Sequence, residues 1–272
     1  MSAVETNTGI ISSFVRQRGL IAVLVERELK ARYRGTLLGY VWSLVNPLLL
    51  IAVYTVVFTM VIPARIPSPV PYPLFLFAGV LPWLFATGVL LDSAVVLNDN
   101  GPLLKKVVCP PEVFPAVTVC SHLAHHLLAL PVLVGVMIAY SIAGRLTFPW
   151  TIALLPLVLA LWVVTTGGLA LAVAALAVHF RDLKDLLHNV LNLLFFMTPI
   201  IYTADVVPAG VLRQIVLANP VTPLVILYRG VAVEGRVPPA SAWGWAIVVA
   251  AVAWLLGAFV FGRLRDSIAE TV

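Results

Sequence analysis

The sequence predicts an all-α integral membrane protein with an N-terminal amphipathic interface helix, six transmembrane helices and short re-entrant helices between spans 5 and 6. Three observations carry this prediction. Hydrophobic residues make up 61% of the chain and charged residues only 11%, whereas soluble domains carry about 25% charged residues. The mean hydropathy is +1.05, and the apolar residues gather in runs of about 20, the length that crosses a hydrocarbon core. The Lys and Arg residues cluster between these runs.

Residues 1–36 are predicted to form the N-terminal interface helix. Between residues 10 and 34, apolar and charged side chains alternate so that a helix would carry a broad apolar face and a basic face. Such a helix lies in the plane of a membrane surface. Gly19 is the expected break within it, because glycine weakens a helix interior.

Residues 37–262 are predicted to form the six-span transmembrane domain. The stretch IPARIPSPVPYP, with five prolines in twelve residues, makes a stiff loop after the first span. The charged segments NDNGPLLKKVVCPPE and HFRDLKD interrupt later apolar runs. The predicted spans cover residues 37–62, 74–97, 113–142, 150–178, 186–202 and 242–261.

Residues 203–239 are predicted to form a separate element between the last two spans. Its two apolar pieces, near 212–217 and 224–233, are too short to cross a membrane, which is typical of re-entrant or interfacial helices. Residues 263–272 would form a tail.

The distribution of positive charge predicts the orientation. With the N-terminus inside, twelve Lys and Arg residues lie on the inner side and five on the outer side. Basic residues favour the cytoplasmic side, so both termini are expected in the cytoplasm.

The chain has no G-x-x-x-x-G-K-[ST] loop, no H-E-x-x-H pair and no G-x-S-x-G elbow. We therefore expect neither enzymatic activity nor a metal or cofactor in this chain. A transporter without its own motor needs an ion gradient or an ATPase partner.

Three segments resemble the membrane subunits of ABC-type exporters of polysaccharides, O-antigen or teichoic acid. They are ERELKARYRGTLLGYVWSLVNPLLLIAVYTVVF, HFRDLKDLLHNVLNLLFFMTPIIYT and ANPVTPLVILYRG, and they occur in the family's order. The resemblance implies a homodimer in the cytoplasmic membrane of a bacterium, with a lipid-linked glycan passing between its two chains. It also implies two separate ATPase subunits that bind ATP and Mg and push on coupling segments. The coupling residues expected here are Asp99, Leu103, Lys105, Lys106, His179, Phe180, Arg181 and Asp182.

The basic segment before the first span allows two roles. Arg27, Lys30, Arg32, Tyr33 and Arg34 can anchor the chain to anionic lipid, at about 1 kcal/mol per basic residue. They can also dock the ATPase, and the arginine forks can bind a lipid pyrophosphate through paired hydrogen bonds.

A polar and aromatic stripe on spans 1 and 5 is predicted to line the channel. Pro47 kinks span 1, and the asparagines of span 5 are costly in lipid unless they meet water or each other. Amides can hydrogen-bond to sugars and aromatic rings can stack on them. The predicted set is Ser43, Asn46, Tyr54, Phe58, Asn189, Asn192, Phe195, Phe196 and Tyr202.

His122 lies three and four residues before His125 and His126, so it could bind a metal ion together with either of them. No carboxylate lies nearby in sequence, so packing or hydrogen bonding between helices is the preferred interpretation. Asp92 is interpreted as the partner of a basic group. Two alternatives remain open: an ABC exporter of a drug or simple lipid, and an ion-coupled secondary transporter that uses Asp92 and the histidines to carry protons.

Overall fold

The computed structural model describes residues 3–35, 39–57, 70–106 and 109–271, and these residues form helices and connecting segments without a strand. The α-helices are α1 (Ala3–Arg16), α2 (Arg18–Tyr33), α3 (Trp42–Val56), α4 (Tyr72–Asp99), α5 (Gly101–Lys106), α6 (Val113–Ile142), α7 (Leu155–His179), α8 (Leu183–Met197), α9 (Val211–Ala218), α10 (Val221–Ala232) and α11 (Ala240–Thr271). Short 3-10 turns at Gly39–Val41, Trp150–Leu154 and Ala204–Val206 precede or join them.

α4 is the central helix of the bundle. It packs against α6 and α7, with α3, α8 and α10 around it, and α7 packs along α11. Its middle and first half are almost wholly buried, and Phe75, Phe77 and Leu81 belong to one continuous apolar core. A helix that is apolar on all sides is expected at the centre of a bundle.

The bundle has two distinguishable ends. One end, called basal here, joins the end of α4, the start of α6 and the ends of α7 and α11, and α1 and α2 pack beside it. The other end, called distal, carries residues 70–72, 143–150 and 198–206. At the distal end the Tyr72 hydroxyl donates to the Ile201 carbonyl at 3.0 Å, and Thr151 donates to Val231 at 2.8 Å.

Four helical segments of the described chain are long and apolar enough to cross a membrane: Tyr72–Asp99, Val113–Ile142, Trp150–His179 and Ala240–Ile268. α9 and α10 meet at 76° and would add a fifth span if they cross together as a broken helix. The described part of α3 and the whole of α8 have 15 residues each. At 1.5 Å per residue such a helix is about 22 Å long, shorter than a hydrocarbon core of about 30 Å. Six complete spans therefore stay a prediction.

The span predicted at 186–202 begins and ends earlier than expected. α8 starts at Leu183 and stops at Met197, and Thr198 has an extended backbone with ψ of 137°. The following Pro199 explains the stop, because the residue before a proline is disfavoured in the helical conformation. Tyr202 thus lies beyond the helix and does not share its face.

The N-terminal segment forms two helices, so the predicted break within it is present. The break falls at Gln17 instead of Gly19. α1 packs against α11 and α2 packs against α6. Leu24 is buried against Val113 and Val117 of α6, so part of the predicted apolar face contacts protein.

The last helix is longer than predicted. The sequence analysis separated a span at 242–261 from a tail at 263–272, whereas α11 is continuous through Thr271. No proline or glycine follows Gly262 to stop the helix. Its final turns pack at the basal end, where Phe261 and Ile268 are buried.

Candidate functional site

A cavity of about 670 Å³ opens between α2, α3, α4 and α6. One part of its wall is polar and cationic, and the remainder is apolar or aromatic. Its lining residues are Arg32, Trp42, Asn46, Pro47, Leu50, Leu81, Leu84, Phe85, His122, His125, His126 and Ala129. Arg32 of the basic segment and Trp42, Asn46 and Pro47 of the first predicted span therefore line one side of the cavity.

Two lining residues of this cavity, Arg32 and His122, contact Asp92 of α4, which itself lines a smaller neighbouring cavity. The Arg32 guanidinium donates to Asp92 Oδ2 at 2.8 Å, and His122 Nε2 lies 2.8 Å from the same oxygen. A carboxylate only accepts, so the Nε2 hydrogen of His122 points at Asp92. The basic partner predicted for Asp92 is confirmed, and the predicted interhelical hydrogen bonding of the histidines is confirmed for His122. Within the described residues no cluster suited to a metal ion occurs.

Gly88 makes this arrangement possible. A Cβ atom at residue 88 would lie 2.5 Å from the His122 ring, closer than side chains approach one another. Glycine on α4 thus lets α6 bring its imidazole against α4 and within reach of Asp92, one helical turn further along.

The other basic residues of the segment have different neighbours. Arg27 donates to the Asn100 Oδ1 atom at 3.4 Å, and Lys30 pairs with Glu26 on the same helix. Arg34 is exposed after the end of α2. Of the predicted lipid-phosphate set, only Arg32 lines the large cavity; the Tyr33 side chain lies outside the described side chains.

Glu28 sits between Arg32 and the surface of α6. Its carboxylate lies 4.0 Å from the Arg32 guanidinium. Burial against α6 raises the pKa of Glu28 above its ordinary value, and the neighbouring positive charge of Arg32 only partly opposes this shift. Glu28 also lines a second cavity of about 310 Å³, together with Asp92 and Asp99.

The predicted channel stripe is divided between two places. Asn46 lines the cavity, and Tyr54 is half-buried against the core. α8 packs on α4 and α7, whereas α3 packs on α4 and α6. Phe58 and the Ser43 side chain lie outside what the structure describes.

α8 keeps its polar groups on an outward face. Asn189, Asn192 and Phe196 are exposed, and Phe195 is half-buried beside Trp83 at a ring distance of 5.9 Å. The Tyr202 hydroxyl donates to the Phe196 carbonyl at 3.0 Å, so this tyrosine closes the end of the helix. The cavity that Asn46 lines does not include Asn189 or Asn192 among its lining residues.

Most of the predicted coupling residues are exposed at the basal end. They include Asp99 and Lys105 on one segment, and His179, Phe180, Arg181 and Asp182 on the other, while Leu103 is half-buried. Asp182 occupies the N-cap position of α8, but its carboxylate makes no capping hydrogen bond. The Lys106 side chain lies outside the described side chains.

Two contacts that the sequence analysis missed connect these coupling segments to α11. Glu112, with 1% of its surface exposed, accepts from the Arg265 guanidinium at 2.9 Å. His179 Nε2 lies 3.0 Å from the Ser267 hydroxyl. Their separations of 153 and 88 residues leave no local sequence signal for either contact.

A second missed feature is the buried charge of Arg229 near the distal end. Its guanidinium donates to the carbonyls of Pro199 and Ile200 at 3.0 and 2.7 Å and stacks 3.6 Å over the Phe75 ring. Gly79 leaves room for it, since a Cβ there would lie 2.6 Å from the guanidinium. Arg229 thus holds the break after α8 against α4. From the sequence, Arg229 was one of the five basic residues expected on the outer side and belonged to the ANPVTPLVILYRG motif, without a predicted contact.

Long apolar helices around a central buried helix define a multi-pass membrane protein. The sequence model of the ABC-2 type transporter family matches residues 6–233, and the chain belongs to this family. It is similar to the O-antigen export system permease protein RfbA of Myxococcus xanthus, with 34% identity over 265 residues that cover 97% of this chain and 99% of the relative. It is also similar to a protein of the same name from Klebsiella pneumoniae, with 31% identity over 216 residues, covering 79% and 81% of the two chains. The resemblance deduced from the motifs is confirmed.

Proposed function

We propose that this chain is the membrane subunit of an ATP-driven exporter that moves a lipid-linked polysaccharide of the O-antigen kind across the cytoplasmic membrane. The similarity to O-antigen export permeases over 97% of the chain is the observation that carries this proposal. A drug or simple lipid is the alternative cargo, since other exporters share a similar plan.

The channel would form between two copies of the chain. Asn189 and Asn192 are exposed on a helix that is otherwise largely apolar. An amide facing hydrocarbon is costly, so this face calls for water or for polar groups of a second copy. In a homodimer the two α8 faces would supply amides for hydrogen bonds to sugar hydroxyls, and the exposed Phe196 would supply a ring for stacking.

Two ATPase subunits, which bind ATP and Mg, would dock on the basal end. The exposed segment at 179–182 and the exposed side chains of Asp99 and Lys105 form the proposed contact surface. The two bonds to Arg265 and Ser267 connect this surface to α11. The excess of Lys and Arg at this end supports placing it, with both termini, in the cytoplasm.

The first experiment is to extract the tagged chain gently from the membranes of its own host and identify what accompanies it by mass spectrometry. We expect an ATPase at one copy per permease chain, together with a polyprenyl-pyrophosphate glycan. A complex that contains the ATPase and a drug or simple lipid, but no glycan, would contradict the proposed cargo and still support ATP-driven export.

The ion-coupled alternative has one structural observation in its favour, the hydrogen bond between His122 on α6 and Asp92 on α4. It predicts transport by the isolated chain under a pH gradient. Neutralising Asp92 together with His122, His125 and His126 should then abolish transport. Our proposal expects no transport by the isolated chain in proton-loaded vesicles, and a clear signal there would refute it.

A further inference from the structure

We propose that the cavity between α2, α3, α4 and α6 binds the phosphate end of an isoprenoid lipid phosphate, with Arg32 and His122 as the phosphate ligands. Asp92 is the internal anion that holds both ligands until a phosphate takes its place. This inference rests on the proposed function for the identity of the cargo, and it adds the location of the site and the exchange of one anion for another.

The donors of the site already converge on a single acceptor. Arg32 and His122 come from α2 and α6, and both lie 2.8 Å from one oxygen of Asp92. A phosphate offers several acceptor oxygens, and arginine can bind two of them in parallel. Asp92 accepts hydrogen bonds from both donors with a single oxygen. A phosphate that enters the cavity could accept from the same two donors in its place.

The accessibility of the three groups suits such an exchange. The Arg32 side chain keeps 38% of its surface exposed and lines the cavity, so a ligand there can reach it. The Asp92 side chain keeps 41% of its surface exposed and lines the smaller cavity, so it is not locked in its contact with Arg32 and His122. His122, at 9%, is held more firmly, because it packs against Gly88. The histidine thus provides a fixed donor, and the arginine provides one that can turn towards the ligand.

The rest of the wall suits hydrocarbon. Leu50, Leu81, Leu84, Phe85 and Ala129 line the part of the cavity away from the charges. A volume of about 670 Å³ falls within the usual range of small-molecule sites of about 300–1,000 Å³. A cavity that is polar at one end and apolar along its remainder fits an amphiphile better than free phosphate.

Of the arginines in the N-terminal segment that the structure describes, Arg32 is the one that lines this cavity. Arg27 contacts Asn100 and borders the smaller cavity, and Arg34 is not among the lining residues. Arg18 lies on the same helix as Arg32 but is exposed three to four turns away from the cavity. Arg18→Gln is therefore a matched control for Arg32→Gln, because it removes the same charge from the same helix.

The test is equilibrium binding by calorimetry on the purified full chain in detergent. The probes are farnesyl pyrophosphate, inorganic pyrophosphate and farnesol. We expect farnesyl pyrophosphate to bind at least tenfold more tightly than either half alone, Arg32→Gln to weaken it at least tenfold, and Arg18→Gln to leave it unchanged. Equal binding of inorganic pyrophosphate would assign the site to a free phosphate and overturn the lipid assignment.

Asp92→Asn gives a prediction of opposite sign. Since Asp92 competes with the ligand, its neutralisation should tighten the binding of farnesyl pyrophosphate severalfold. A purely structural role of the ion pair predicts weaker binding instead, and that result would overturn the proposal. Leu84→Trp, at a position that is 43% exposed and lines the cavity, should weaken farnesyl pyrophosphate binding without changing the binding of inorganic pyrophosphate.

Failure of this inference is distinguishable from failure of the proposed function. Binding is measured without the ATPase and without export. Loss of Arg32-dependent binding in a chain that still exports polysaccharide would refute the site alone. If the binding follows the predictions but the chain exports no polysaccharide, the binding site is supported and the proposed cargo is wrong.

Discussion

His122 is held in place by a glycine on another helix. A Cβ atom at Gly88 would approach the imidazole ring to 2.5 Å, so the ring occupies the space that a side chain would need. The consequence is that α6 delivers a hydrogen-bond donor to Asp92 within the bundle. This dependence on one missing methyl group can be tested directly.

Gly88→Ala should lower the stability of the bundle by about 1–3 kcal/mol, the usual cost of overpacking a core. The expected measurement is a lower midpoint of thermal unfolding in detergent. Gly135→Ala on α6 is the control, since nothing lies within 4 Å of its added Cβ atom. It should leave the midpoint unchanged or raise it, because alanine favours helix. Equal effects of the two substitutions would contradict the proposed packing.

Glu28 gives a prediction that depends on pH. Burial raises the pKa of Glu28 in the folded chain, so the folded state binds its proton more tightly than the unfolded state does. The contribution of Glu28 to the docking of α2 is therefore present below the unfolded pKa, and it is lost as pH rises through the folded pKa. Hydrogen exchange of α2 should be faster at pH 8 than at pH 5, after correction for intrinsic exchange rates.

Glu28→Gln should remove this part of the pH dependence, because glutamine does not titrate. The matched control is Glu26→Gln on the same helix. Glu26 is fully exposed, and Lys30 holds the pKa of that carboxyl below its ordinary value. If Glu26→Gln flattened the pH profile of α2 as much as Glu28→Gln does, burial of Glu28 would not be its cause.

At the scale of elements, α7 and α11 form the closest helix pair of the bundle. A Cβ atom at Gly257 would lie 1.8 Å from the carbonyl oxygen of Gly168, and one at Gly168 would lie 2.4 Å from the carbonyl oxygen of Ala253. Small residues let the helix backbones touch, which replaces the hydrophobic driving force that is missing between helices in lipid.

Gly257→Ala should push these helices apart and lower the unfolding midpoint. Gly167→Ala, one residue from the contact, is the control: its nearest neighbour is Trp254 at an ordinary 3.6 Å. A stable Gly257→Ala variant with an unchanged midpoint would show that the two helices do not pack this closely.

The connection between Glu112 and Arg265 links the start of α6 to the last turns of α11. Arg265→Gln should destabilise this connection by about 1–3 kcal/mol, because it leaves a buried carboxylate without its charged partner. Arg263→Gln is the matched control, since the Arg263 guanidinium lies over the Phe259 ring on the same helix. Thermal unfolding of each variant, and of the double variant with Glu112→Gln, measures the coupling. Additive losses would mean that the pair contributes nothing.

How accurately the sequence predicts the ends of a helix depends on whether proline, glycine or charged residues mark those ends. α6 was predicted from its apolar run at the bounds that the structure shows, Val113–Ile142. Prolines precede this helix and Gly144 adopts a positive φ just after it, so the helix ends where the apolar run ends. α8 was predicted to run too far, because the apolar run continues past Pro199 and hydropathy does not register a local break. α11 was predicted too short, because charge ended the apolar run while the helix itself continued.

The candidate site was also predicted only in part: the sequence identified several of its residues but not their contacts. The sequence identified Asn46, Asp92 and the histidines as residues that need an explanation, since polar and ionisable groups are rare within membrane spans. It identified Arg32 as part of the basic segment before the first span. It did not predict that Arg32, Asn46 and the histidines line one cavity or that Asp92 contacts Arg32 and His122, because these residues lie on four helices. The contacts of Arg229 and Arg265 were missed altogether, since each depends on helices that meet only in the fold.

For the whole molecule, the outward amide face of α8 predicts a dimer. In a variant lacking Cys109 and Cys120, Asn192→Cys should form a disulfide between two chains in native membranes after mild oxidation. Ile247→Cys on α11, where the native side chain is 54% exposed, should form no disulfide between chains. Electrophoresis without reducing agent measures both. Cross-linking at residue 247 with none at residue 192 would move the interface to α11.

By itself, the sequence determined the class of molecule: an all-helical membrane protein whose motifs resemble polysaccharide export permeases. Hydrophobicity, proline and basic charge act over a few residues, so they can be read along the chain. The tertiary structure alone decided which groups meet, including the ion pair of Arg32 with Asp92, the cavity beside it and the bond from Glu112 to Arg265. These contacts join residues 60 and 153 positions apart, and only helix packing brings such residues within hydrogen-bond distance.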